Sequence, residues 1–120
     1  MAEELRWGRV KAETDYPVRR GAWYRVSSLP PGEVVLDVNR KPLALPRSFI
    51  ELVATPPRRW TVVPRPAKAP RLPEGWGDQY VVCPSCRHRS PVHGAPQTMR
   101  CPRCYGLFLV AWDEHYLGRE

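Results

Sequence analysis

Four cysteines have the most chemistry to offer in this chain of 120 residues. They fall as two close pairs, Cys83 with Cys86 and Cys101 with Cys104, in a C-x2-C-x14-C-x2-C array. Thiolate sulfur is a soft donor, and a two-residue spacer lets one tight loop bring two sulfurs to a single cation without strain. Each pair reads Cys-Pro-x-Cys, a knuckle whose backbone amides can turn toward the sulfurs. Two knuckles supply four sulfurs in tetrahedral array, the closed shell of one structural Zn2+, with no open position for water or substrate. Iron takes the same donors. A redox-active Cys-x-x-Cys needs a pair at a helix N-terminus, whereas two similar proline-containing pairs fit ligation better. His88 and His93 lie between the pairs, but four sulfurs already fill the shell, so both are expected to be solvated loop residues.

Arg87, His88, Arg89, Arg100 and Arg103 surround the knuckles. Arg87, Arg89, Arg100 and Arg103 are the candidate nucleic-acid contacts, since the planar guanidinium fork suits phosphate. A second reading stands beside it: four thiolates and one zinc sum to minus two, and nearby cations offset that charge. Asp113, Glu114 and His115 follow the last apolar run and are expected to be a solvated tail. Of the five tryptophans, Trp7, Trp23, Trp60 and Trp112 are expected mainly in cores, and Trp76, within Glu-Gly-Trp-Gly, exposed or interfacial. The chain carries no Gly-rich phosphate loop, no Ser-His-Asp candidate and no His-Glu-x-x-His, so no catalysis is expected.

The elements that position these residues follow from proline and from apolar alternation. Fifteen prolines are about two and a half times the usual share, and proline breaks helix interiors. Long helices are excluded outside the proline-free windows Met1 to Tyr16 and Arg103 to Glu120. Ala22, Tyr24 and Val26 alternate in GAWYRVSSL, and Val34, Leu36 and Val38 in EVVLDVNRK; Ile50 and Leu52 follow in SFIELV. Turn signals such as Pro30-Pro31-Gly32 separate them, the pattern of strands in a small bent barrel. The ribbon's possible core is Tyr80, Val81, Val82, Leu107, Phe108, Leu109, Val110 and Trp112. It is too small to fold unaided, so metal binding and folding are expected to be one event.

The runs GAWYRVSSL, EVVLDVNRKPLALP and RSFIELV resemble the second half of a Src-homology-3-like barrel, in which a proline-led turn precedes the closing strand. The segment Trp7 to Tyr16 departs from the peptide-binding version, so the resemblance implies the scaffold and not polyproline recognition. Residues 79 to about 116, with both knuckles and their apolar flanks, resemble a zinc ribbon. The run Cys101 to Gly106 with Phe108 and Val110 is also similar to a rubredoxin knuckle, although the cysteine pairs stand closer than in that family.

The chain is therefore expected to be mostly β: a Src-homology-3-like small barrel over 1–63, a proline-rich linker over 64–78 and a four-cysteine zinc ribbon over 79–120. The strand potential of Arg59 to Val63 is left open between the barrel and the linker. Nineteen bases against twelve acids give +7, which points to an anionic partner; sixteen of the bases are arginine, which codon bias explains equally well. By segment, 1–63 carries 11 bases and 7 acids, 64–78 carries 3 and 2, and 79–120 carries 5 and 3, placing most of the charge on the barrel. The expected function is a non-catalytic, zinc-binding, cytoplasmic adaptor acting on nucleic acid or on a ribonucleoprotein or transcription machine. The alternative is a protein-protein interaction or regulatory subunit without nucleic-acid contact, and the third reading is a rubredoxin-like iron electron carrier. Neither a small-molecule substrate nor a membrane is indicated.

Overall fold

The computed structural model describes residues 5–12, 14, 16–56, 58–65 and 72–113, with only the backbone of Glu74. The centre of the expected linker, Pro66 to Arg71, and the expected tail residues Glu114 and His115 lie outside the described residues. The chain is mostly β, its described helix limited to two short 3-10 turns, Arg47–Phe49 and Glu74–Trp76. It divides into two units after Pro57.

The first unit is a five-stranded antiparallel sheet of β1 (Trp7–Val10), β2 (Trp23–Ser28), β3 (Glu33–Val38), β4 (Lys41–Pro46) and β5 (Ile50–Val53). Their order is β4-β3-β2-β1-β5. Alternation in β3 buries Val34, Leu36 and Val38 while Glu33 and Asp37 face solvent, as a sheet with one covered face requires. Asn39 (φ 52°) and Arg40 (φ 67°) close the β3–β4 hairpin, the left-handed pair that matches the twist of flanking strands. A register shift between Val26 and Ser28 bends β2, and such bulges raise local twist. Gly8 completes the curl, for a Cβ there would stand 2.7 Å from Ile50 Cγ2 and 3.2 Å from Leu36 Cδ2. The result is a curled half-barrel packed around Val10, Trp23, Leu36, Leu45 and Ile50.

The second unit is a mixed five-stranded sheet of β6 (Arg59–Pro64), β7 (Gln79–Val82), β8 (Arg89–Pro91), β9 (Thr98–Arg100) and β10 (Leu107–Val110). Its order is β8-β7-β6-β10-β9. Here the strand left open in the sequence finds its place: β6 is central, antiparallel to β7 and parallel to β10. Trp60 draws it there. Its side chain is fully buried among Val81, Cys83, Val92, Cys101 and Val110, and its backbone carbonyl accepts from Ala111 N–H at 3.0 Å.

The two ends of the proline-rich segment lie in the same unit. Arg65 N–H donates to Asp78 O at 2.7 Å, and the Arg65 guanidinium donates to the carbonyls of Leu72 and Pro73 at 3.1 and 2.9 Å. Residues 65 and 78 thus stand side by side. The segment leaves β6 and returns to β7 within the second unit, because the antiparallel β6–β7 pairing requires its ends to meet.

Candidate metal centre

The two cysteine pairs sit in equivalent turns, the first between β7 and β8 and the second between β9 and β10. In the first, Cys83 N–H donates to His88 O at 2.8 Å and Arg87 N–H to Cys83 O at 3.1 Å. In the second, Cys101 N–H donates to Gly106 O at 2.8 Å and Tyr105 N–H to Cys101 O at 2.9 Å. Arg87 (φ 67°) and Tyr105 (φ 65°), each directly after the second cysteine, share the left-handed backbone that reverses the chain. Amides point at sulfur as the Cys-Pro-x-Cys pattern predicts. Ser85 N–H reaches Cys83 Sγ at 3.4 Å, and the N–H groups of Arg103 and Cys104 reach Cys101 Sγ at 3.4 and 3.5 Å.

These turns bring all four sulfurs within 4.8 Å of one another. Across the knuckles, Cys83 Sγ lies 3.7 Å from Cys104 Sγ, and Cys86 Sγ lies 3.6 Å from Cys101 Sγ. A tetrahedral ion with metal–sulfur bonds of about 2.3 Å has a sulfur–sulfur edge of about 3.8 Å, whereas a disulfide brings its sulfurs to about 2 Å. The cluster has the dimensions of a coordination shell, and all four thiols are free. The four cysteines could hold one metal ion.

The electrostatics of the four thiols agree with that use. Burial pushes the Cys83 thiol up to about 12, against the opposing effect of the Cys86 and Ser85 amides, and burial likewise raises Cys86. The Gly106 amide beside Cys104 brings that thiol down to about 7. Sulfurs that resist ionisation through burial need a cation to become thiolates together.

The apolar surroundings are the inner face of the second sheet. Trp60, Val81, Val92 and Val110 pack with the buried Cys83 and Cys101, and Met99, Phe108 and Trp112 cover the flanks. The Trp112 indole N–H donates to Pro96 O at 2.7 Å. Gly106 is required by packing: a Cβ there would meet the Phe108 ring at 2.5 Å. Two residues expected in this core are not in it. Leu107 and Leu109 are each 55% exposed, because their parity in β10 is opposite to that of Phe108 and Val110. No family model, curated protein or solved structure matches the chain.

The remaining candidates are placed by the same turns. Arg100 and Arg103 are exposed and Arg87 and Arg89 half-buried. Arg100 pairs in register with Leu107, and its guanidinium donates to Tyr105 O at 2.7 Å. His93 is exposed and His88 half-buried, and the metal-capable group holds neither. Asp113 is not a bare tail residue, since its exposed carboxylate accepts from Arg59 at 2.6 Å. Trp23 and Trp60 are buried, while Trp7, Trp76 and Trp112 are half-buried; Trp76 leans on Tyr80 with ring centroids 6.2 Å apart.

The division after Pro57 also moves the charge. Residues 1–57 carry nine bases and seven acids, residues 58–120 ten and five, so the second unit holds +5 of the +7. A zinc tetrathiolate, at minus two, would leave it about +3. The expectation that the first module carries most of the charge is thereby reversed, because Arg58 and Arg59 travel with β6. Tyr105 was not among the sequence candidates, since its exposure depends on a left-handed turn that spacing alone does not reveal. Among the described residues no helix is long and apolar enough to cross a membrane.

Proposed function

We propose that this chain is a non-catalytic adaptor in which a Src-homology-3-like barrel is joined to a zinc ribbon, and that it works in the cytoplasm on nucleic acid or on a ribonucleoprotein or transcription machine. The observation that carries the metal assignment is the pair of cross-knuckle sulfur distances, 3.7 and 3.6 Å. A closed four-sulfur shell offers its ion no position for substrate, so the zinc supplies cross-linking energy and no chemistry. The strand order β4-β3-β2-β1-β5, with a 3-10 turn after Pro46 leading into β5, supports the barrel reading. The positive charge of the second unit, +5 before and about +3 after zinc binding, supports an anionic partner, with Arg87, Arg89, Arg100 and Arg103 beside the knuckles as its contacts.

Binding of the metal-loaded chain to a labelled oligonucleotide, followed as salt rises, tests this reading. Phosphate contacts release counterions, so affinity must fall steeply with salt. A second reading, docking to a protein without nucleic acid, is favoured by the exposure of Leu107 and Leu109. Oligonucleotide affinity too weak to detect even at low salt would transfer the assignment to it. Elemental analysis settles the ion: zinc leaves the protein colourless, and a red iron protein would carry the electron-transfer reading instead.

A further inference from the structure

The position after the second cysteine of each knuckle needs left-handed backbone, the region glycine enters at no steric cost and other residues enter at some expense. The chain places Arg87 and Tyr105 there. In the second knuckle the strain is not repaid by burial, because Tyr105 is 71% exposed. The glycine beside it, Gly106, serves a different purpose by making room for the Phe108 ring. Strained positions of this kind cluster at functional sites, and the exposed Tyr105 side chain is available for an external contact.

The surroundings of Tyr105 indicate which contact. Its carbonyl accepts from the exposed Arg100 guanidinium at 2.7 Å, Arg103 is exposed two residues earlier, and the exposed Leu107 pairs in register with Arg100. An exposed aromatic side chain whose own carbonyl holds one guanidinium, with a second exposed arginine two residues earlier and an exposed leucine two residues later, suits a base and its neighbouring phosphates. We infer that Tyr105 is a base-stacking platform for single-stranded nucleic acid, with Arg100 and Arg103 contacting the flanking phosphates. A duplex is a poorer occupant because its base faces are covered by their neighbours. The inference rests on the proposed nucleic-acid reading and adds the residue, the strandedness and the mode of contact.

The test uses the metal-loaded full chain, a labelled single-stranded RNA of mixed sequence and the matching duplex, with binding read by anisotropy. Tyr105→Gly is the informative variant, because glycine relieves the backbone and the folded ribbon should melt no lower than the parent. Its single-strand affinity should nevertheless fall by about five- to a hundredfold, the range of one lost base stack. Tyr105→Trp should bind as well as the parent. Arg100→Gln and Arg103→Gln should each reduce the magnitude of the single-strand salt slope by about 0.7. If the parent binds neither strand form, the proposed function fails and the inference with it. If the parent binds and Tyr105→Gly binds equally well, the inference alone is overturned. Loss of binding in Leu107→Ser or Leu109→Ser with Tyr105→Gly unaffected overturns it in favour of an apolar docking strip.

Discussion

The indole N–H of Trp60 donates to the backbone carbonyl of Met99, 2.9 Å away and 39 residues later in the chain. This bond ties β6 to β9, which lies beyond β10 in the sheet, and fixes the strand before the proline-rich segment to the knuckle after it. A fragment starting at residue 79 would therefore lack the centre of its own sheet. Such a fragment should bind zinc more weakly than one starting at residue 58 and show poorly dispersed amide signals, whereas the longer fragment should match the full chain. Equal zinc affinity in the two would mean that β6 is dispensable to the metal site.

Metal removal should unfold one unit only. The second unit packs its core around Cys83 and Cys101, and structural zinc contributes on the order of 10 kcal/mol to sites of this kind. Exhaustive chelation should collapse the amide signals of residues 58–113 and leave those of 5–56 in place. Persistence of the β9–β10 signals after complete metal loss would contradict the coupling of binding to folding.

The cysteine array, the two amide-to-sulfur knuckles and the alternation of β3 were all legible in the sequence, because each depends on local spacing. The place of β6 was not. Arg59 to Val63 is an apolar strand with two possible sheets to join, and its parallel partner β10 lies about fifty residues away, a pairing that no local pattern encodes. The proline-rich segment misled for a related reason, since proline content sets stiffness but not where the ends of a segment meet. Exposure along β10 was misread because Leu107 to Val110 is a continuous apolar run, which carries no parity signal.

Loading the metal should release protons in a number that counts the ligands. Burial in the fold holds the Cys83 and Cys86 thiols above their usual range, and unfolded thiols near 8.5 are also protonated at neutral pH. Binding near pH 7 should therefore expel between about three and about four protons per ion, because Cys104, at about 7, is already partly ionised in the fold. Since protons compete with the cation for the same sulfurs, acid must drive it off, and affinity should drop steeply below neutrality. Calorimetry in buffers of different ionisation enthalpy gives the count, and a value under three would remove one cysteine from the shell.

Gly106→Ala should destabilise the second unit by about 1 to 3 kcal/mol, the usual cost of overpacking. The added Cβ would lie 2.5 to 2.6 Å from two atoms of the Phe108 ring, and that ring packs against the core around the cysteines. In the background of Phe108→Leu, which removes those ring atoms, the same substitution should cost much less. Additive losses in the double variant would show that the obstruction is not the ring.

The first unit offers a test independent of metal. Arg9 is 2% exposed, and its Nε and Nη2 both donate to Glu51 Oε1, at 3.0 and 2.8 Å. The two residues are register partners on β1 and β5, and the guanidinium lies 4.6 Å from the centroid of the Trp23 ring. Glu51→Ala leaves that buried cation without its carboxylate. Removing one partner of a fully buried pair costs about 3 to 5 kcal/mol, but the Glu51 side chain is 37% exposed, so solvent reduces the expected loss to about 2 kcal/mol. Arg9→Met removes the charge together with its need for a partner and should cost less than Glu51→Ala. Denaturant melts of the two variants decide the matter, and the reverse order would show that the contact of Arg9 with Trp23 on β2 stabilises the sheet more than its ion pair with β5 does.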